Sequence, residues 1–210
     1  MKRKIKNIGD VETLPVDVVI NKPIQRNVQL LFSHFSRYFI ARRNLKINNK
    51  HTIIDASCGE GYGSFYLSLK AKQVYGLDVY SENLDFAKKY FDISNIKFFT
   101  YNFFKRCKYL PVDKIVCIET LEHVPKKDMT GFIGLLMSML KQGGDMFLTV
   151  PLGANEPSSY NTFHKNEPSI DIIMESFTPF FNKINIEVDV FINSYNKKST
   201  YCLITMWGKK

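Results

Sequence analysis

Residues 53–63 read IIDASCGEGYG, and this stretch decides the fold. Two isoleucines, Asp55 and an alanine form a short, mostly apolar run, as in a buried strand. Glycines at 59, 61 and 63 then break it. Glycine takes positive φ freely and has no Cβ, so the backbone can turn sharply and press against a flat polar ligand. Residues 62–69, YGSFYLSL, resume as a helix. Its first N–H groups and positive dipole end face the same space. Strand, glycine turn and helix in that order form a nucleotide-binding unit.

Outward from this unit the pattern repeats. Strands are expected at 52–56, 74–79, 96–101, 114–119 and 145–150, the last closed by Pro151. Helices are expected at 62–70, at 127–140, and after Ser81, which reads as an N-cap with Glu82 in the first turn. Gly143-Gly144 reads as the signal that ends the 127–140 helix. Strands alternating with helices imply a parallel sheet with right-handed crossovers. A long polar loop at 152–168 and a helix near 170–176 follow. Two β-rich runs, 184–192 and 200–207, are joined by NSYNKKS and form a hairpin that adds an antiparallel strand. The fold expected is α/β: a Rossmann-like, seven-stranded, mostly parallel sheet with helices on both faces. Before the first strand, residues 1–20 read as irregular. Residues 24–44 carry Val28, Leu31, Phe32, Phe35, Phe39 and Ile40 at helical spacing. The 210 residues make a single domain, with 1–48 as an arm and lid helix and 49–210 as a cofactor-binding core.

Composition narrows the partners. Hydrophobic residues make up 45% of the chain, which suits a globular core. No apolar run reaches membrane-span length, and the basic start MKRKIKN lacks a following apolar segment. A cytoplasmic location is the expectation. The net charge of +9 would attract nucleic acid, but the basic residues are spread thinly along the chain, so nucleic acid is a possible and not a favoured partner. Cys58, Cys107, Cys117 and Cys202 show no C-x-x-C pairing and read as free thiols. Nothing in the sequence sets the oligomeric state.

The ligand is read from spacing. A dinucleotide loop runs G-x-G-x-x-G, whereas here the glycines run G-x-G-x-G. Asp55, at the end of the first strand, would repel a pyrophosphate but suits a ligand carrying an ammonium and a sulfonium. Asp78 ends the second strand, where a carboxylate can accept hydrogen bonds from both hydroxyls of a ribose.

These features resemble those of the class I S-adenosylmethionine-dependent methyltransferases. IIDASCGEGYG resembles their first motif, VYGLDVYSENLDFAKKY (74–90) the next, and LKQGGDMFLTVP (140–151) the turn into their fifth strand. The likeness covers most of residues 30–182. HFSRYFIA (34–41), CGEGYGS (58–64), IETLEHV (118–124) and NTFHKNE (161–167) resemble one bacterial and phage subgroup. That subgroup implies methylation of a sugar or another small polar metabolite.

The resemblance implies roles by position. Asp55, Gly59 and Gly61 would frame the methionine end and ribose of S-adenosylmethionine. Asp78 would bind the ribose diol, and Val79 would lie against the adenine. Asn102 stands where the family has an aspartate for the adenine amino group, and Phe103 would cover the adenine edge. Glu119 would approach the amino-acid part of the cofactor. Each carries a plainer alternative: Asp55 as a cap of its turn, Asp78 as a helix cap, Asn102 and Phe103 as ordinary loop residues.

Methyl transfer to a hydroxyl needs alignment and a proton acceptor. His123, just after the fourth strand, and His164, in the loop after the fifth, both fall at the carboxyl edge of the sheet. His123 is the first candidate base and His164 the second. The alternative for each is a histidine that only hydrogen-bonds a loop. His34, Arg37 and Tyr38 share a face of the first helix and would lid the cofactor. His51 falls at the opposite edge.

The fourth strand ends in ETLE, not in the Asn/Asp-Pro-Pro-aromatic run of enzymes that methylate base amino groups. No paired acidic cluster follows it, and no metal is expected. The expected activity is therefore methyl transfer to a hydroxyl of a small polar acceptor such as a sugar or glycan precursor. An RNA or protein acceptor, or a catalytically inactive cofactor-binding module, is the alternative.

Overall fold

A computed structural model describes the backbone of residues 24–102, 111–159, 161–192 and 198–210. Side chains at 24–33 and 189–199 lie outside the description. The irregular reading of residues 1–20, the candidate Phe103, the thiol of Cys107, the apolar positions Val28, Leu31 and Phe32, and the hairpin connection fall outside it too.

The apolar runs become seven strands: β1 (Thr52–Ala56), β2 (Gln73–Asp78), β3 (Ile96–Thr100), β4 (Val112–Ile118), β5 (Leu140–Pro151), β6 (Phe181–Ile192) and β7 (Lys198–Lys209). The helices are α1 (Ile24–Asn44), α2 (Tyr62–Ser68), α3 (Ser81–Tyr90), α4 (Met129–Met139) and α5 (Ile170–Phe177), with short 3-10 turns at Leu121–His123 and Lys126–Asp128. The sheet order is β3-β2-β1-β4-β5-β7-β6. Neighbours from β3 to β5 are parallel, and β7 runs antiparallel to both β5 and β6. The chain winds outward from β1 to β3, then returns to β4 on the other side of β1. The loops leaving β1 and β4 therefore diverge, which opens a crevice at their carboxyl ends.

Apolar side chains cover both faces. One cluster joins α4 and α5 to the sheet through Phe132, Leu136, Ile173 and Phe177. The other joins α1, α2 and α3 through Tyr38, Ala41, Leu67, Leu84 and Ala87.

Two local expectations are corrected. Gly143-Gly144 does not end a helix. Helix α4 stops at Met139, and the buried Leu140 already pairs with Val112. The next pair is Lys114 with Asp145, so two steps along β4 match five along β5. The excess forms a bulge, and Gly143 at φ +73° takes its left-handed turn. Nor does Ser81 cap α3. It is the first residue of that helix, and its hydroxyl bonds the Glu82 carboxylate. Tyr80 occupies the cap position, and its N–H is bound by Asp78 Oδ1 at 2.9 Å.

The glycines of the β1–α2 turn serve packing within the chain. At Gly61, φ +85°, an added Cβ would lie 2.6 Å from Ala87 Cβ and 2.8 Å from the Phe98 ring. At Gly63 it would lie 2.0 Å from the Tyr38 ring. Gly63 therefore lets α1 approach α2. Gly63→Ala should lower unfolding stability by about 1–3 kcal/mol through overpacking. In a Tyr38→Ala background the same change should cost less, as read by a double-mutant cycle in urea. An equal cost in both backgrounds would refute this contact as the reason for the glycine.

Candidate functional site

Strand β1 delivers Asp55 to the head of the crevice, paired across to Gly76 on β2 and Val116 on β4. The carboxylate is fully buried. Ser64 Oγ, on α2, donates to its Oδ2 at 2.6 Å, and the Tyr38 hydroxyl, on α1, donates to Oδ1 at 3.1 Å. Burial pushes its pKa up to about 7; the two hydroxyls pull the other way, and nearby Asp78 adds a smaller upward push. Asp55 thus knots one strand to two helices, and its oxygens point into the protein.

The turn beyond it is shaped by left-handed residues, Ser57 at φ +59°, Gly59 at +54° and Gly61 at +85°. Cys58 N–H bonds Leu77 O, which closes the turn onto β2. Gly59 N–H donates to Asp78 Oδ2 at 2.8 Å. Asp78 thus accepts one backbone N–H on each oxygen, from Gly59 and Tyr80. Its carboxyl is shifted upward by burial, against hydrogen bonds from the Tyr80, Gly59 and Val79 backbone and the Asn83 side chain. A carboxylate offers about four acceptor positions, so a ribose diol would bind here by displacing a donor such as the Asn83 side chain. Beside it Val79 and Tyr80 are 49% and 65% exposed, a flat apolar step at the strand end. Asn102, just past β3, is exposed on the same edge.

Strand β4 ends, like β1, in a left-handed residue that is not glycine: Glu119 at φ +47°. Such backbone costs energy and concentrates at functional sites. Thr149 Oγ1 donates to Glu119 Oε1 at 2.7 Å, and Arg37 Nη1 lies 3.6 Å from Oε2. The Arg37 guanidinium also sits 4.5 Å from the centre of the Tyr201 ring.

Helix α1 buries a more polar face than its apolar spacing predicts, although Ile40 still packs against the core. His34, Arg37, Tyr38, Ala41 and Leu45 are buried, while Phe35 and Phe39 are exposed. The reason is polar: Tyr38 binds Asp55 and Arg37 binds Glu119, one at each of the two diverging strand ends. The expected lid is a helix bolted across the crevice by buried bonds.

The two histidines meet. His123 is half-buried in the 3-10 turn after β4, and His164 is buried in the 152–168 loop. Their ring centres lie 5.4 Å apart in an edge-to-face arrangement. His123 Nδ1 lies 3.1 Å from Phe163 O, and His164 Nδ1 lies 2.6 Å from Glu167 Oε1. The loop is held there because Lys165 N–H and Asn166 N–H both donate to Glu122 O. Glu122, fully buried, completes a cluster. One ligand atom from each of Glu122, His123 and His164 lies within 4.8 Å of the other two. Sequence reading selected both histidines but passed over Glu122 and expected no metal here. The Glu-His pair at 122–123 was its one local signal. His51, as expected, lies away from this cluster, hydrogen-bonded to Asn48 beside the start of β1.

Residues 53–144 match the family model of a methyltransferase domain. A 51-residue stretch, 24% of this chain, is 39% identical to an uncharacterized RNA methyltransferase of Bacillus cereus. The chain covers 11% of that relative's length. Among solved structures, the chain resembles the YcgJ protein of Bacillus subtilis at TM-score 0.65 and 12% identity, over 84% of this chain and 100% of that one. It equally resembles the N-methyltransferase NodS of Bradyrhizobium japonicum in complex with S-adenosyl-L-homocysteine, at TM-score 0.65 and 12% identity, over 92% and 93% of the two chains. The sheet order and the antiparallel β7 are those of the Rossmann-like methyltransferase fold.

The buried Asp55 carries a pH signature. Its pKa is raised on folding, so the folded chain binds the proton more tightly than the unfolded chain. That contribution to stability is full below the unfolded value, about pH 4, and is lost as pH rises through about 7. Asp55→Asn should remove the loss, so its stability relative to wild type should climb between pH 4 and pH 7.5, by up to about 4 kcal/mol. Urea unfolding at several pH values reads this. A difference that stays flat or falls with pH would refute the assignment.

Proposed function

We propose that this chain, a methyltransferase of the class I, S-adenosylmethionine-dependent kind, moves the methyl group to a hydroxyl of a small polar acceptor, such as a sugar or glycan precursor. The observation that carries the reading is the His123–His164 pair at the carboxyl edge, beside the end of β4. S-adenosylmethionine supplies a methyl carbon on a sulfonium: the S–C bond breaks, an O–C bond forms, and the acceptor's hydroxyl proton must leave. A histidine at that edge can take the proton, and His123, being half-buried, is the more open of the two.

The residues present fit the nucleoside. Asp78 is fixed at the end of β2 by the Gly59 and Tyr80 N–H groups, where a ribose diol would take over the place of the Asn83 side chain. Val79 provides an apolar surface for the adenine, and Asn102 stands at the same edge with an amide that can accept from its amino group. Asp55, Gly59 and Gly61 act by shaping the turn. Glu119 and the His34–Arg37–Tyr38 face of α1 would close the methionine end, with Arg37 and Tyr38 holding the two strand ends at a fixed separation.

A second reading, with RNA as the acceptor, is favoured by the 51-residue likeness to the Bacillus cereus protein and by the net charge of +9. Labelled S-adenosylmethionine incubated with sugar-nucleotide or glycan fractions and with RNA separates the two. Label in the small-acceptor fraction supports the first reading, and label in RNA or protein alone overturns it.

For the cofactor, Asp78→Ala should weaken S-adenosylhomocysteine binding at least tenfold in calorimetry, since charged hydrogen bonds contribute about 1.5–3 kcal/mol. An unchanged Kd would remove the ribose assignment. His123→Ala should leave that Kd within about twofold while lowering kcat a hundredfold or more; an unaffected kcat would remove His123 from the chemistry.

A further inference from the structure

We propose that Glu122, His123 and His164 form a binding site for a divalent transition-metal ion. Two imidazoles and one carboxylate are a donor set suited to zinc, manganese, iron(II) or cobalt; magnesium and calcium favour all-oxygen sites. The three ligand atoms already lie within 4.8 Å of one another, so a small inward movement brings them around one ion.

The ring orientations fit this role. A carbonyl oxygen can only accept, so His123 Nδ1 carries the proton that it donates to Phe163 O. His164 Nδ1 likewise donates to the Glu167 carboxylate. In each neutral ring the lone pair then belongs to Nε2. A carboxylate or carbonyl behind a metal-binding histidine fixes its tautomer and raises its basicity in this way. Glu122 is fully buried, and a cation beside its carboxylate would offset the cost of burying that charge. The site joins two segments about forty residues apart, locked by the Lys165 and Asn166 N–H groups on Glu122 O.

Only the ion's role, not its binding, rests on the proposed hydroxyl acceptor. The ion would take the acceptor oxygen as a further ligand and lower its pKa, so that the proton passes to water as the O–C bond forms. The histidines would then act as ligands, the ion acidifying the acceptor hydroxyl and water taking the proton that a lone imidazole would otherwise accept.

Cobalt(II) titrated into the metal-stripped full chain, without cofactor or acceptor, tests the binding. One equivalent should bind, with visible absorption bands that zinc abolishes. His123→Ala, at the half-buried position, and Glu122→Gln should each weaken binding at least a hundredfold. Glu167→Gln, which leaves all three ligands in place, should weaken it about tenfold to a hundredfold. Circular dichroism checks the fold of each variant; where Glu122→Gln unfolds, His123→Ala decides. No saturable cobalt binding, or binding that His123→Ala leaves unchanged, would overturn the site. S-adenosylhomocysteine affinity, measured in parallel, is independent of it, so loss of the metal site and loss of the methyltransferase reading give different results.

Discussion

The carboxylate of Asp55 is the constraint on which the upper half of the molecule depends. It sits where β1 ends, fully buried, and its two oxygens are taken by Tyr38 from α1 and Ser64 from α2. A buried carboxylate must find donors or lose its charge. Here the donors belong to the two helices that flank the glycine turn. Satisfying Asp55 therefore sets the distance of α1 from α2, and Gly63 is glycine because at that distance the Tyr38 ring fills the place of a Cβ.

The same logic recurs one strand away. Glu119, at the end of β4, holds Thr149 of β5 and Arg37 of α1. Arg37 and Tyr38 are adjacent, so one turn of α1 spans both strand ends. In a doubly wound sheet the ends of β1 and β4 are where the chain reverses its direction of winding, and there the loops part. Helix α1 ties the two sides together. A crevice held open at a set width by buried polar bonds is preorganised, so little ordering cost remains when a ligand enters.

Much of this was legible in the sequence because it is local. The β1–turn–α2 unit, the acid at Asp78, the strand succession and the terminal hairpin each rest on a few neighbouring residues. The strand that must run antiparallel was also foreseen, since a hairpin added to a parallel sheet can be accommodated in no other way. What escaped depended on contacts between distant segments. The buried face of α1 is set by two acids 17 and 82 residues further on, and a hydrophobic stripe cannot see them. Gly143-Gly144 has the composition of a helix end, but Leu140 is buried and pairs with Val112 on a strand 28 residues earlier, and the glycines pass to a bulge. Glu122 looked like an ordinary polar residue until the 152–168 loop folded back upon it.

Buried acids gather near the carboxyl edge of a chain whose net charge is positive, and this bears on the proposed acceptor. The chain carries +9, spread over many short basic runs. Near the ends of β1, β2 and β4 lie the buried acids Asp55, Glu60, Asp78 and Glu122, and the Arg37 guanidinium is paired with Glu119. With its pKa near 7, Asp55 bears only part of its charge at neutral pH. Under the proposed function, Asp78 and Glu119 would attract the ammonium and sulfonium of the methyl donor. A cation held by Glu122, His123 and His164 would neutralise the field at that one point, beside the acceptor oxygen, and leave it intact around the donor. Were the acceptor small and neutral, as proposed, an ion bound there would have a definite place in its recognition.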